Sequence, residues 1–278
     1  MITFRELGKF GQFGNQLFQY AGTKLYAEKN GFDFALPDWI GTKIFQSIRP
    51  WKTTEKIKNL FCRQIQLDDL DSYTRMDALL WLFSKNIKLP QTQSLRSLYK
   101  NPKNNISPYG YMQDEFGLQL IKENREKIKE WFKLKENIEN EYRKITAHLK
   151  PWIGVHIRRG DYVGVGADLP VSQYRLKLNE VKSRFPNHKV FIATNDRLVL
   201  SEFNDYNLPK ISNPLTGIPD YVFDFWMLVN AQVIIGGGST FSWWASFLST
   251  NQEYYAPPLT HLWDKHHVAP PPIVRQQL

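Results

Sequence analysis

Cysteine is almost absent from this chain, since Cys62 is the only one among 278 residues. A single thiol can form no disulfide within the chain and cannot build a cysteine metal site. This composition is typical of proteins from a reducing compartment. Long apolar runs are missing too, because no stretch approaches the ~20 apolar residues that a membrane-spanning helix needs.

The first ten residues contain Arg5, Glu6 and Lys9 and no apolar core of a signal peptide. We find no internal repeat and no low-complexity tract in the sequence. We therefore expect a cytoplasmic protein, and we leave open a peripheral attachment to a membrane surface.

Basic residues outnumber acidic ones, with 36 Lys and Arg against 27 Asp and Glu, for a formal charge of +9. Such a surplus suits an anionic partner, which could be a nucleotide, a nucleic acid or a membrane surface. The shares of hydrophobic residues, 42%, and charged residues, 23%, are those of an ordinary globular protein. Its length suffices for two compact domains or one large one.

The order of the expected elements indicates an α/β fold. A strand at 2–5, a glycine loop at 8–14, a helix at 15–29 and a strand at 32–36 form a βαβ start. The second half alternates strands with helices, which predicts a parallel sheet. We expect strands at 152–158, 189–194, 233–235 and 253–256, with helices at 172–184, 221–231 and 239–248.

The middle of the chain is less regular. We expect helices around 68–84, a loop at 101–110 because of its Asn, Pro and Gly content, and one or two helices over 116–149. Asp69-Leu70-Asp71 has the spacing of a metal-binding pair of aspartates, but it falls in the helix-rich segment, and we interpret it as surface charge.

A first motif, GQFGNQLFQYA, runs from Gly11 to Ala21. Glycines after a strand let the backbone approach a ligand closely, and a helix N-terminus favours an anion. The pattern is not Gly-x-Gly-x-x-Gly, so it does not signal a dinucleotide fold. Taken alone, the motif is better explained as a tight turn with Asn15 as the helix cap.

A second motif, VHIRRGDY, covers 155–162. An apolar strand that ends in two cations indicates an anion nearby, because buried charges need partners. Alternation along the strand puts His156 and Arg158 on one face and Ile157 and Arg159 on the other. One arginine can then face a phosphate while its neighbour anchors the loop to Asp161. The alternative is an internal ion-pair network.

Two further motifs follow strands of the second half. In GGGSTFSWWASF, from Gly236 to Phe247, an open loop precedes a helix that Ser239 or Thr240 would cap. The free N–H groups at the start of such a helix form a phosphate site. We expect Trp243 and Trp244 to be packing residues. In ATND, Asp196 could accept hydrogen bonds from guanine, or it could cap the next helix. All three second-half motifs lie at carboxyl ends of parallel strands, where open α/β sheets bind ligands.

In this order and spacing, the first, second and GGGSTFSWWASF motifs resemble those of the inverting fucosyltransferases typified by bacterial α-1,2-fucosyltransferases, glycosyltransferase family 11. YGYMQDEF at 109–116 is a looser match. The resemblance implies a GT-B-type α/β fold, in which two Rossmann-like domains face each other across a cleft. We expect an N-terminal acceptor-side domain at 1–150 and a C-terminal GDP-sugar-binding domain at 151–278.

The resemblance further implies a galactoside α-1,2-fucosyltransferase that uses GDP-β-L-fucose, inverts the anomeric carbon and needs neither metal nor cofactor. It assigns catalysis to Arg158, Asn15 and Asp161, with Arg158 on the β-phosphate, and Arg159 and Asp161 shaping the loop. The expected binding residues for the nucleotide sugar are Gly14, Asn15, Gln16, His156, Arg158, Asp196, Gly238, Ser239, Thr240, Phe241 and Ser242. The expected partners are GDP-fucose and a galactose-containing oligosaccharide or lipid-linked glycan, with no nucleic acid.

The sequence leaves several points open. Asp161, Asp168, Asp114 and Glu115 are all candidates for a general base, and we hypothesise that none is essential. The acceptor site falls in the least readable region, 38–115. A fucosyltransferase of another linkage or another GDP-sugar, a nucleic-acid binder and a catalytically silent glycan-binding protein are the alternative functions.

Overall fold

Short parallel strands and helices alternate along the chain, as the sequence predicts. The computed structural model describes residues 1–67, 93–160, 163, 168–249, 253–256 and 275–277. Contacts divide the chain into two compact units, Met1–Lys43 with Ile48–Asn124 and Ile44–Ser47 with Arg125–Leu278. The expected helices around 68–84 and the Asp69-Leu70-Asp71 triplet lie outside the described residues.

The first unit is built around one long buried helix. Its elements in chain order are α1 (Phe13–Lys29), α2 (Ile40–Ile44), α3 (Thr53–Asn59), β1 (Arg63–Gln66), α4 (Leu95–Lys100), β2 (Ile106–Tyr109) and α5 (Glu115–Glu123). Strands β1 and β2 pair in parallel. Helix α1 is buried along most of its length and ends at Asn30. Gly31 follows with φ +64°, the left-handed conformation that commonly stops a helix.

The second unit holds a five-stranded sheet. Its elements are α6 (Arg125–Trp131), α7 (Glu136–Thr146), β3 (Trp152–Ile157), α8 (Val171–Arg184), β4 (Lys189–Thr194), a 3₁₀ helix (Arg197–Tyr206), α9 (Asp220–Val229), β5 (Val233–Ile235), α10 (Thr240–Leu248), β6 (Glu253–Ala256) and β7 (Arg275–Gln277). The strand order is β4-β3-β5-β6-β7, and every pair is parallel.

Strand β3 is buried at all six positions, because helices cover both faces of the sheet. Ile153, Val155 and Ile157 belong to an apolar cluster that includes Tyr174 and Leu178 of α8. Gly154 lies on the other face, where an added Cβ would stand 2.9 Å from Leu228 of α9. The alternation expected for this strand is therefore present.

Aromatic contacts tie α6 and α7 to the second unit. The ring of Phe132 lies 5.4 Å from that of Trp244, and the ring of Tyr142 lies 5.0 Å from that of Phe223. Trp243 and Trp244 are buried, which confirms that they are packing residues. The main boundary between the compact units thus falls between Asn124 and Arg125. The acceptor-side domain at 1–150 and the GDP-sugar-binding domain at 151–278 stay predictions.

Most element predictions are confirmed, and four need correction. The strands expected at 2–5 and 32–36 are reduced to a parallel bridge between Ile2 and Phe34. The expected loop at 101–110 contains β2, because β1 supplies it with a partner strand. The region 116–149 holds three helices, since the chain at Leu134 turns aside to form a bridge with Phe45. Strand β7 was not predicted.

Candidate functional site

The carboxyl ends of three neighbouring strands meet at one edge of the sheet. Strand β3 lies between β4 and β5, and its register sets Ile157 opposite Thr194 and Val155 opposite Ile235. The segments that begin at Arg158, Asn195 and Gly236 therefore leave the sheet side by side. These are the three second-half motifs, which the sequence separates by up to about 80 positions.

Arg159 is held by carboxylates from two segments. Its Nε lies 3.8 Å from Oδ2 of Asp168, and one terminal nitrogen lies 3.8 Å from Oδ2 of Asp196. Its backbone N–H donates to Oδ1 of Asn195 at 2.9 Å. Asp161, the partner expected for this arginine, lies outside the described residues. Arg159 thus pairs with Asp168 and Asp196, and its expected contact with Asp161 stays a prediction.

Arg158 and His156 share the opposite face. The Arg158 side chain is partly exposed. His156 is buried, and burial together with the Arg158 cation lowers the pKa of its imidazole to about 3. The ring is therefore neutral at physiological pH, and the low pKa makes it a weak proton acceptor. Its Nδ1 has no hydrogen-bond partner among the described residues, and its ring lies 5.0 Å from that of Phe241.

The turn at Gly236–Ser239 is shaped by close approach. A Cβ on Gly237 would collide with Oη of Tyr174, and one on Gly236 would stand 2.8 Å from Oγ of Ser242. Gly238 has φ +68°, a conformation that glycine adopts without strain. Only glycines fit this turn in its present form, so the backbone carries no side chains directly after the end of β5.

Ser239 caps α10, as predicted, with Oγ accepting from the N–H of Phe241 at 3.2 Å. Gly238, Thr240 and Phe241 are partly exposed, so the start of the helix is accessible. Ser242 is fully buried, and its hydroxyl donates to the carbonyl of Ser239 at 3.2 Å. A glycine turn before a helix N-terminus offers N–H groups and a positive dipole end to an anion.

Asp196 caps the 3₁₀ helix, since its Oδ1 accepts from the N–H of Leu198 at 3.1 Å. Its other oxygen faces Arg159. The helix-cap explanation is thus observed, and a contact with guanine stays a prediction.

In the first unit, amide side chains stabilise the glycine loop. Gln16 donates to the carbonyl of Gly11 at 2.9 Å, and Gln19 donates to that of Phe10 at 3.2 Å. Helix α1 begins at Phe13, with Gln12 in the cap position. Asn15 therefore lies in the first turn and is not the helix cap. Its Oδ1 accepts from Gln113 at 3.0 Å, which connects this motif to YGYMQDEF.

Gly14 and Gln16 are buried within the same turn of α1. Of the other base candidates, Asp114 caps α5 by accepting from the N–H of Gly117 at 2.7 Å. Glu115 follows in the first turn of that helix.

Sequence reasoning missed Asp224 of α9. Burial and the nearby Asp220 raise the pKa of its carboxyl to about 7, against the lowering effect of Arg197. The signal was available, because it is a lone carboxylate within the apolar run VFDFWML.

Within the described residues, no three His, Cys, Asp or Glu side chains are grouped so that they could hold a metal ion. Over the same part of the chain, none of the helices combines the length and the apolar character needed to cross a bilayer.

Comparison with known families gives the glycine–arginine arrangement a context. Residues 8–268 match the family model described as Glycosyl transferase family 11. The chain belongs to glycosyl transferase family 11. A curated family relative is the alpha-1,2-colitosyltransferase of Escherichia coli, which is 26% identical over 254 residues, covering 86% of this chain and 85% of that protein.

Solved structures of similar fold are fucosyltransferases. POFUT1 in complex with GDP-fucose superposes with a TM-score of 0.56 at 14% identity, covering 91% of this chain and 97% of that one. The fucosyltransferase NodZ from Bradyrhizobium gives 0.55 at 17%, covering 89% and 92%. These likenesses confirm the expected GT-B-type α/β fold for this family 11 chain.

Proposed function

We propose that the chain transfers L-fucose from GDP-β-L-fucose to a glycan hydroxyl, with inversion, and that the hydroxyl is O2 of galactose. The observation that carries the proposal is the grouping of Arg158, the Asn195-Asp196 segment and the Gly236–Ser239 turn at one sheet edge. A cation beside a bare glycine turn and a helix N-terminus suits a diphosphate. Membership of family 11 and the α-1,2 linkage named for the E. coli relative support the reaction class.

The transfer is a single displacement. The acceptor oxygen forms a bond to fucose C1 while the bond from C1 to the β-phosphate oxygen breaks, and GDP leaves with the electron pair. The transition state has oxocarbenium character, as in glycoside cleavage. Negative charge grows on the leaving oxygen, where Arg158 and the N–H groups at the start of α10 would stabilise it. These groups would take the place of a divalent cation.

His156 suits nucleotide binding better than proton transfer, because its low pKa makes the imidazole a weak base. His156 would contact the guanosine part of the donor, as the family resemblance implies. Asp196 would contact guanine, Gly238 to Ser242 would line the phosphates, and Gly14, Asn15 and Gln16 would contact the phosphates or the fucose. The acceptor proton would pass to the departing diphosphate or to water, without one essential carboxylate.

The test is an incubation of GDP-fucose with a panel of galactosides, read by mass spectrometry and by NMR for linkage. The proposal expects one fucose on galactose O2 in the α configuration, and equal turnover with and without EDTA. Glycan or RNA binding without any transfer would favour the non-catalytic alternatives and overturn it.

A second donor is suggested by the colitosyltransferase relative. Colitose is fucose without the 3-hydroxyl group. Parallel assays with GDP-fucose and GDP-colitose decide between them, because a site that hydrogen-bonds a hydroxyl discriminates strongly against a substrate without it.

A further inference from the structure

Three large apolar side chains are exposed together at the end of α3. Ile57 is 55% exposed, Leu60 75% and Phe61 78%, and they fall within five consecutive positions. Single exposed apolar residues are normal, whereas a contiguous group marks an interaction surface. We call these three residues the 57–61 patch.

The backbone under the patch is fixed. The N–H groups of Leu60 and Phe61 donate to the carbonyls of Ile57 and Lys58, each at 3.1 Å. The Arg5 side chain also donates to the carbonyl of Asn59 at 2.9 Å and to that of Cys62 at 2.8 Å. The patch residues therefore project from a turn whose hydrogen bonds are made internally, and their exposure does not arise from a loose loop.

Basic residues flank the patch along the chain. The segment 49–63 contains five basic residues and one acid, Glu55. Glu55 is held by Arg49 at 2.7 Å, and Lys58 lies 3.7 Å from Asp33. Within the described ranges, Lys56 and Arg63 have no ion-pair partner, and both are exposed. The patch is thus an apolar group with basic residues before, within and after it in the chain, and we call these basic residues its rim.

We propose that the 57–61 patch docks the protein on an anionic lipid surface. Apolar side chains enter the interface between headgroups and acyl chains, while lysine and arginine at the rim attract acidic headgroups. The N–H groups of Leu60 and Phe61 are bonded within the turn, which suits this position, because N–H groups without partners are costly there. A second copy of the chain is a poorer occupant, since two positive rims would face each other.

The experiment is co-sedimentation of the full chain with vesicles. One set contains phosphatidylcholine alone, and the other contains about 30 mol% phosphatidylglycerol as well. We expect binding to the anionic set that weakens as salt is raised. Leu60→Ser and Phe61→Ser should each lower the partition coefficient about five- to ten-fold, because each removes apolar area from the interface. Lys56→Gln with Arg63→Gln should reduce the salt dependence.

Leu176→Ser is the matched control, because Leu176 is 73% exposed beside Arg175 and Lys177 but belongs to no such group. It should bind as the wild type does. Equal binding of Leu60→Ser and wild type, no binding to anionic vesicles, a dimer that Phe61→Ser disrupts, or RNA binding that Phe61→Ser abolishes would each overturn the inference. Melting curves that match the wild type exclude misfolding of the variants. The inference does not rest on the proposed transfer, which is measured separately with a soluble galactoside.

Discussion

Asn195 holds the turn that follows β3, because its Oδ1 accepts from the backbone N–H of Arg159 at 2.9 Å. The same side chain occupies the space beside Gly160, where an added Cβ would collide with Nδ2. One amide at the end of β4 thus fixes the backbone on which both arginines are carried. Because β3 and β4 are neighbours, this contact connects two motifs that the sequence presents separately.

Asn195→Ala is expected to weaken GDP binding more than it weakens the fold. It removes one hydrogen bond, worth about 1 kcal/mol of unfolding free energy, and frees the Arg158–Gly160 turn. GDP affinity should fall several-fold in calorimetric titration. Asn195→Asp keeps an acceptor for the same N–H and should recover part of that affinity. GDP affinity that is unchanged in Asn195→Ala would contradict the positioning role.

Gly237→Ala is expected to destabilise the protein by about 1–3 kcal/mol, which is the usual cost of overpacking. The new Cβ collides with Oη of Tyr174, whereas the next nearest atom, Cζ, lies 3.3 Å away. Tyr174→Phe in the same chain removes the colliding oxygen and should restore most of the stability. Denaturant unfolding of the two single variants and the double variant measures this coupling. Additive losses in the double variant would show that the hydroxyl is not the obstacle.

His156 makes stability depend on pH below neutrality. Its imidazole has a pKa of about 3 in the folded chain against an ordinary value of 6.5. Between these values the unfolded chain binds one more proton, so the free energy of unfolding gains up to about 1.4 kcal/mol per pH unit as pH rises. This contribution is complete above pH 6.5 and is lost as pH falls. His156→Gln should remove it, and a slope unchanged in that variant would contradict the assignment.

Asp224 acts with the opposite sign. Its carboxyl has a pKa of about 7 when folded against 3.8 ordinarily, so the folded chain keeps a proton that the unfolded chain releases. The free energy of unfolding therefore falls as pH rises from 3.8 to 7. Asp224→Asn should abolish this loss, which makes the variant more stable than the wild type at pH 7. Urea midpoints across this range test the prediction. Asp220→Asn should reduce the loss only in part, because it removes one of the two causes of the raised pKa of Asp224.

The sequence was sufficient for the strands that build the site. Runs such as KVFIAT and VII are buried on both faces, so their apolar, β-branched character is strong and their limits agree with β4 and β5. It was insufficient where pairing depends on a distant partner. Ile106–Tyr109 contains Pro108 and follows a polar stretch, and it becomes a strand by pairing with Arg63–Gln66, which is distant in sequence.

The same division applies to the site residues. Glycines and arginines at strand ends could be predicted, because their chemistry follows from their own types and positions. The partners of Arg159 could not, since Asp168 and Asp196 approach it only through the folded chain. Asp224 is a different case: its place within the apolar run VFDFWML already indicates burial, and this signal was missed.

Arg158→Ala should lower the affinity for GDP by about a hundred-fold, because a charge-assisted bidentate contact with phosphate is lost. Arg158→Lys keeps the charge without the planar fork and should be intermediate. Arg143→Ala is the matched control, since this exposed arginine of α7 pairs only with Glu139 among the described residues. Titrations at two salt concentrations separate the general effect of charge from the local contact.

A crystal structure of the chain with bound GDP would show directly whether Arg158 and the Gly236–Ser239 turn hold the diphosphate. We expect the β-phosphate within hydrogen-bond distance, about 3 Å, of the Arg158 guanidinium and of N–H groups between Gly238 and Phe241. GDP bound at another place, with Arg158 turned away from it, would contradict the proposed donor site.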